Sequence, residues 1–470
     1  KGGGAGKVTA LTCRVRLPSA TMSATPVFPS RLFQLDARGT TVAAEARGAV
    51  ATFLTMAYIL VANPAILSAA GVPVAPAAAA TALAAALCCL LMGLGANFPL
   101  ALAPGMGLNA VIAFQVAPAA GSWQTAMGLV VLDGLVVLAL VVVGLREAMM
   151  HAIPPDLRRA IGVGIGLFIA LIGLVNARLV QVPAGTVAAL AADPTVVMPP
   201  VTHGSLHDSE TLVAVVGLVV IATLLARRVT GAIVLGILAS TVLAVALGVA
   251  QLPAGAWVAL PRLDTLFQAD VRGALSPAVL PLLLPIIMVD FFDTIGTTTA
   301  VAEEAGLRDE AGRIPGVQRV LAVDAASASV GGLFGVSSVT AYIESAAGVA
   351  EGARTGLSTA IVGLLFALAA FAAPLAGMVP AAATAPALVA VGFLMTQQVT
   401  RIDFRKLETA IPAFVILVVI PFTYSISHGI GYGFLAYVLI QLLVGRWRDV
   451  HPLMYGAAAF FAVYFAVSAG

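Results

Sequence analysis

Apolar runs long enough to cross a lipid bilayer alternate with short polar breaks along most of the chain, and the breaks are marked by Pro, Gly or charged residues. Several runs exceed the ~18 residues that read as a membrane-spanning helix. Membrane β-strands would instead show alternating segments of about ten residues. The pattern predicts spans at 48–68, 75–95, 99–118, 124–145, 159–177, 211–226 and 231–250, then at 278–300, 318–335, 337–350, 356–376, 382–397, 408–425 and 428–444. A final apolar run at 453–468 would cross outward as a fifteenth span or lie along the membrane interface, the reading favoured here. The hydrophilic stretches 178–210 and 251–277 are the longest interruptions, and the second divides the spans into two sets of seven. An odd number of spans per set turns the second set upside down, the logic of inverted repeats in secondary transporters. The expected organisation is a disordered tail at 1–32, a first repeat at 33–250, an extracytoplasmic loop at 251–277, a second repeat at 278–445 and a C-terminal apolar segment at 446–470.

Composition agrees with lipid as the main solvent. The 470 residues are 60% hydrophobic and only 10% charged, with a mean hydropathy of +1.05, where a soluble domain carries about a quarter charged residues. A formal net charge of +2 and the lack of a basic patch interleaved with aromatics exclude nucleic acid as a partner. Charge matters by position. With the N-terminus in the cytoplasm, Arg146, Arg158, Arg159, Arg227, Arg228, Arg308, Arg313, Arg319, Arg354 and the later basic residues fall in cytoplasmic loops, and Arg178, Arg262 and Arg272 fall outside. That bias satisfies the positive-inside rule and points to a multi-pass protein of the inner (plasma) membrane. Cys13, Cys88 and Cys89 offer neither a disulfide framework nor a zinc pattern. The start is Gly-rich and basic without a signal-peptide core, so Met22 is a candidate initiator. KGGGAGK departs from a phosphate loop at Lys1 and Val8.

The third span of each half is interrupted. PLALAPGMGLNAVIAF (99–114) starts extended, meets Pro104 and Gly105, and resumes as helix. FGVSSVTAYIESAAGV (334–349) begins with residues that suit a short strand and turns helical near Glu344. Matching breaks point to a binding site near the bilayer midplane. Asp133, Asp290, Asp293, Asp324 and Glu344 fall inside expected spans, whereas no Lys or Arg does. Such carboxyls must be protonated, hydrogen-bonded or cavity-facing, and a carboxyl in a cavity of changing polarity can load and release a proton. Asp290 and Asp293, three apart, share a helix face. Glu344 sits where a ligand could reach it, and Asn109 offers a donor and an acceptor in the matching segment. Asp133 and Asp324 suit helix-packing hydrogen bonds at least as well as a direct role. Gly162, Gly164 and Gly166 suit close helix packing, since no strand precedes them as a dinucleotide site requires. No Ser, His and Asp set is placed for catalysis, no cofactor is expected, and the chain reads as a non-enzyme.

The runs TFLTMAYILVANPAIL (52–67), GMGLNA (105–110), VDFFDTIGT (289–297), TAYIESAAGV (340–349), RTGLSTAIVGLLF (354–366), TAPALVAVGFLM (384–395) and PFTYSISHGIGYGF (421–434) closely resemble the adenine/guanine/hypoxanthine permease branch of the nucleobase:cation symporter-2 family, also called xanthine/uracil permeases. The resemblance runs from 33 to 464. It implies an all-α polytopic membrane protein of fourteen segments in two inverted seven-span repeats, arranged as core and gate domains, often homodimeric. Short antiparallel strands in spans 3 and 10 are implied to hold the base between them. The eighth-span acid corresponds to Asp290 with Asp293 one turn on, the tenth-span acid to Glu344 and the polar third-span residue to Asn109. Tyr342 stands just before the substrate-binding acid, where related transporters also place an aromatic. The eighth-span acid is Glu in uracil and xanthine relatives, so Asp290 fits the purine branch. The expected substrate-binding set is therefore Asn109, Asp290, Tyr342, Glu344, Ser345 and Phe53, and the proton-coupling set is Asp290, Asp293 and Glu344. Import of adenine, guanine or hypoxanthine with protons, or with sodium as the lesser alternative, follows. The rivals are a carrier of the same architecture for uracil, xanthine or an anion, and a channel. Anion carriers place a basic residue beside the paired half-helices, and none is expected here.

Overall fold

The structure, a computed structural model, describes residues 30–193, 201–251, 257–309 and 313–468. Cys13, Met22, the glycine-rich start and nearly all of the expected tail lie outside the described residues. Nine helices among the described residues are long and apolar enough to cross a membrane, and Met106–Ala120, Ala232–Ala246, Leu407–Thr423 and Pro452–Ala466 are shorter apolar helices. The chain is an all-α, multi-pass membrane protein.

In chain order the elements used below are α1 (Val42–Met56), α2 (Ile59–Leu67), α3 (Val74–Leu91), β1 (Leu102–Pro104), α4 (Met106–Val111), α5 (Trp123–Val142), α6 (Leu145–Ala152) and α7 (Pro155–Asn176). A small antiparallel pair, β2 (Val180–Gln181) and β3 (Thr202–His203), follows, then α8 (Ser209–Ala226) and α9 (Ala232–Ala246). The second half has α10 (Leu283–Glu304), α11 (Val317–Phe334), β4 (Val339–Ala341), α12 (Ser345–Ala350), α13 (Gly356–Ala369), α14 (Ala381–Thr396), α15 (Leu407–Thr423), α16 (Ile426–Leu443) and α17 (Pro452–Ser468). Local chemistry sets many boundaries. Thr41, Ser122, Asp208 and Ser425 each accept a backbone N–H of the first turn of α1, α5, α8 and α16, satisfying donors that have no partner within the helix. The apolar run after His451 forms α17, which packs its Phe461 ring edge-on against Phe434 of α16 at 6.0 Å.

Two helix groups are evident from packing. In one, α7 lies against α14 and α15, and α8 and α9 pack on α14. Gly166 and Gly392 allow the first contact, because a Cβ on Gly392 would stand 2.4 Å from the Gly166 carbonyl. In the other, α5 packs on α11, and α13 packs on α1 and α3. α11 carries several polar and small residues within an expected span. Asp324, Ser327, Gly331 and Gly332 on it are all buried, so its solvent is protein rather than lipid.

A buried carboxylate ties the halves together. Glu45 of α1 is fully buried and accepts backbone N–H bonds from Arg354 (2.8 Å), Thr355 (3.1 Å) and Ser358 (3.1 Å) at the start of α13. An anion there satisfies donors that the helix cannot and complements its positive end. Replacing Glu45→Ala is expected to destabilise the fold by about 3 kcal/mol, since three donors lose a charged acceptor. A thermal melt of the detergent-solubilised protein checks this, and an unchanged midpoint would remove the role given to Glu45.

The two broken segments meet. β1 and β4 pair antiparallel with Leu102 opposite Ala341, Ala103 opposite Thr340 and Pro104 opposite Val339. Pro104 lacks an N–H and ends the ladder, and the Gly105 N–H then donates to the Ser338 carbonyl at 2.9 Å. A Cβ on Gly105 would meet the Thr340 methyl at 2.6 Å, so the close approach requires glycine. Cys89 contributes as well: its Sγ accepts the Leu102 N–H at 3.2 Å and steadies β1 from behind.

Candidate functional site

Because α4 starts straight after β1 and α12 straight after β4, the strand pair presents two helix starts to one space. A cavity of about 110 Å³ lies there. Gly105, Met106 and Gly107 line it from the first half, and Tyr342, Ile343 and Glu344 from the second. Facing them are Arg158, Ile161, Gly162 and Ile165 of α7, Val391, Leu394 and Met395 of α14, and Gln398. The cavity thus lies where the strand pair meets the α7 and α14 wall. A polar vestibule of about 950 Å³, with Arg159, Glu303, Glu304, Arg308 and Arg401 on its walls, shares Arg158, Gly296, Ile343, Leu394 and Gln398 with it.

The polar contacts in the cavity are few and specific. Tyr58, between α1 and α2, donates its hydroxyl to Glu344 Oε1 at 2.9 Å. Tyr342 donates its hydroxyl to the Pro104 carbonyl at 2.5 Å and its N–H to the Ala101 carbonyl at 3.0 Å, which fixes the ring against β1. Apart from these groups, Arg158, Thr297 and Gln398, the lining is apolar, the character of a small-molecule site with a few orienting groups. Among the described residues no group of three or more His, Cys, Asp or Glu is arranged to hold a metal ion.

Of the residues expected from sequence, Glu344 and Tyr342 line the cavity. Asp290 is fully buried behind the strands, where Ser338 donates to its Oδ1 at 3.5 Å. Asn109 is fully buried in α4 and is not on the cavity wall; its Nδ2 lies 3.9 Å from the Met106 sulfur, and its Oδ1 has no hydrogen-bond partner among the described residues. Ser345 points at β1 and accepts the Ala101 N–H at 2.9 Å, a fastening between the broken segments. Phe53 packs edge-on against Phe366, with ring centroids 5.1 Å apart, away from the cavity wall. Asp293 belongs to α10, and its side chain lies outside the described residues. Tyr58 and the α7 face, absent from the expected set, complete the wall; a hydroxyl-bearing ring in an otherwise apolar span was the one available sign of Tyr58. Gly162 differs from Gly164 and Gly166 in facing the cavity, since a Cβ there would meet only Gln398 Oε1, at 3.9 Å.

One expectation is overturned. The sequence pattern leaves the acids without cations and expects no basic residue beside the half-helices, yet Arg146 is fully buried among them. Its guanidinium donates to Asp324 Oδ2 from both terminal nitrogens at 3.2 Å and to the Asp290 carbonyl at 3.1 Å, and it lies 5.7 Å from the Phe291 ring centre. Asp324 also accepts the Thr294 hydroxyl (2.7 Å), the Ala341 N–H (3.2 Å) and the Thr340 hydroxyl (3.4 Å), which joins the ion pair to β4. The cause is local: Gly144, at φ +73°, ends α5 in the left-handed region, and the chain turns into α6, whose second residue is Arg146. Asp324 is accordingly a hub rather than a lone packing residue. Asp133 lies near the same charges and is fully buried, with no hydrogen-bond partner for either carboxyl oxygen among the described residues.

Comparison with known proteins fits this arrangement. The family model described as "Permease family", for xanthine/uracil permeases, matches residues 44–431. The guanine/hypoxanthine permease PbuG of Bacillus subtilis is 40% identical over 446 residues, covering 92% of this chain and 98% of that one. The adenine permease AdeP of Escherichia coli is 39% identical over 433 residues, covering 92% and 94%. Among solved structures, the transmembrane domain of the cyanobacterial bicarbonate transporter BicA superposes with a TM-score of 0.57 at 19% identity, covering 84% of this chain and 97% of that chain, a likeness of fold alone. With a family match over most of its length and relatives near 40% identity across more than nine-tenths of it, the chain belongs to the xanthine/uracil permease (nucleobase:cation symporter-2) family and is a transporter rather than an enzyme.

Proposed function

We propose that this permease carries purine nucleobases, adenine, guanine or hypoxanthine, into the cell together with protons by alternating access. Relatives named as guanine/hypoxanthine and adenine permeases support the purine class. The observation that carries the reading is Glu344, a carboxylate oriented by Tyr58 in a small cavity flanked by two paired broken segments. A purine edge offers N–H donors beside acceptors, so a carboxylate can grip its donors while the rings of Tyr58 and Tyr342 and the side chains of Met106, Ile161 and Ile165 cover its flat faces.

In this reading residues 33–250 and 278–445 are inverted seven-span repeats, fourteen spans in all, which is supported by the matching places of β1 and β4 in the two halves. The α7, α8, α9, α14 and α15 group acts as gate and the group holding the strands as core. Arginines on the vestibule support a cytoplasmic location of that end by the positive-inside rule, with the N-terminus on the same side and the site facing inward. Proton loading on Asp290, Asp293 or Glu344 accompanies base binding, and the core then moves against the gate. Arg146 does not favour an anion as cargo, because Asp324 already neutralises it.

The test is uptake of labelled adenine, hypoxanthine, guanine and uracil by cells lacking their own purine carriers. Saturable purine uptake abolished by a protonophore and indifferent to sodium is expected. Uptake of uracil alone would assign the site to the pyrimidine branch, and non-saturable flux that persists once the proton gradient is collapsed would make the protein a channel.

A further inference from the structure

We infer that Arg158 selects 6-oxopurines, guanine and hypoxanthine, over adenine at this site; the inference rests on the purine reading above. Arg158 lies in the first turn of α7 on the wall shared by the base cavity and the vestibule, so it borders the space that holds Glu344. It is half-buried, its Nε is buried with no hydrogen-bond partner, and among the described residues it makes no ion pair. Its neighbour Arg159, by contrast, is satisfied by Asp156 and the Arg401 carbonyl, both at 2.8 Å. A guanidinium N–H kept from water without an acceptor is costly, and a cation in a first turn also faces the positive end of its own helix. Topological anchoring explains a basic residue at this end of α7, but an anchor reaches for lipid headgroups, whereas Arg158 borders the cavity.

What the position lacks is an acceptor, and guanine supplies one in matching form. O6 and N7 of guanine are two adjacent acceptors that an arginine fork meets with two parallel N–H bonds, whereas adenine presents a donor, the N6 amino group, in place of O6. Hypoxanthine shares O6 and N7. In a cavity of about 110 Å³, a base whose O6 and N7 meet Arg158 can turn its N1–H toward the Glu344 carboxylate, because N1 adjoins the carbonyl carbon. Adenine in that pose sets its amino group against the guanidinium, donor against donor, which is rejection by an unmatched group.

The experiment is competition by unlabelled hypoxanthine, guanine and adenine against labelled hypoxanthine uptake, in the unsubstituted protein and in Arg158→Met and Arg158→Lys at matched membrane abundance. The unsubstituted protein is expected to prefer guanine and hypoxanthine. In Arg158→Met the preference over adenine, read as the ratio of inhibition constants, is expected to fall about tenfold, the scale of a bidentate arginine contact. Arg158→Lys, which keeps the charge and loses the fork, is expected to recover only part of the preference. A ratio unchanged in both variants, or an unsubstituted protein that prefers adenine, overturns the inference and leaves the purine reading standing. An unsubstituted protein with no saturable purine uptake overturns both.

Discussion

Purine uptake by a Glu344→Gln variant is expected to fall about a hundredfold at unchanged abundance in the membrane, the scale of losing a charged acceptor that the ligand's donors were matched to. Glutamine keeps the length and shape of the side chain, so the loss isolates the anion. Tyr58 donates to this carboxylate at 2.9 Å and holds it toward the cavity. Tyr58→Phe removes that bond alone and is expected to cost about tenfold or less, in apparent affinity more than in abundance. Initial rates of labelled hypoxanthine uptake, normalised to protein in the membrane, check both. Wild-type rates in Glu344→Gln would detach the cavity from substrate recognition.

The second large effect belongs to stability. Arg146→Met leaves Asp324 fully buried without its cation, and breaking one side of a buried ion pair costs about 3–5 kcal/mol. The variant is expected to accumulate poorly and to melt well below the unsubstituted protein in detergent. Arg146→Met combined with Asp324→Asn removes both charges and is expected to recover much of the loss, because Asn can still accept from Thr294 or the Ala341 N–H. A double variant no better than the single would mean that Arg146 acts through its bond to the Asp290 carbonyl or its packing on Phe291 instead.

The membrane class, the places of the main apolar helices and the two breaks were legible in the residues themselves, whereas the pairing of the breaks was implied only by the family resemblance. The former are written in local pattern: apolar length for the spans, and Pro104, Gly105 and the β-branched residues before Glu344 for the breaks. The cavity residues were legible only in part. Glu344 was found because a strand-to-helix junction marks itself by composition and Tyr342 only through the family resemblance, while Tyr58 sits in a largely apolar run. Phe53 was expected on the wall, and which ring faces the cavity is decided by the rotation of α1 and the turn at Ala57.

Arg146 shows the limit most plainly. By sequence it is one more basic residue at a span end, on the side where such residues gather. Its partner is 178 positions away on α11, and the φ of +73° at Gly144 that delivers it is a choice of backbone conformation left open by the glycine. Hydropathy and motif fixed which segments enter the bilayer, because each segment meets lipid by itself. Which side chains meet inside was decided by the packing of helices distant in sequence, through close contacts such as those at Gly105, Gly166 and Gly392 that exist only once the chain has folded.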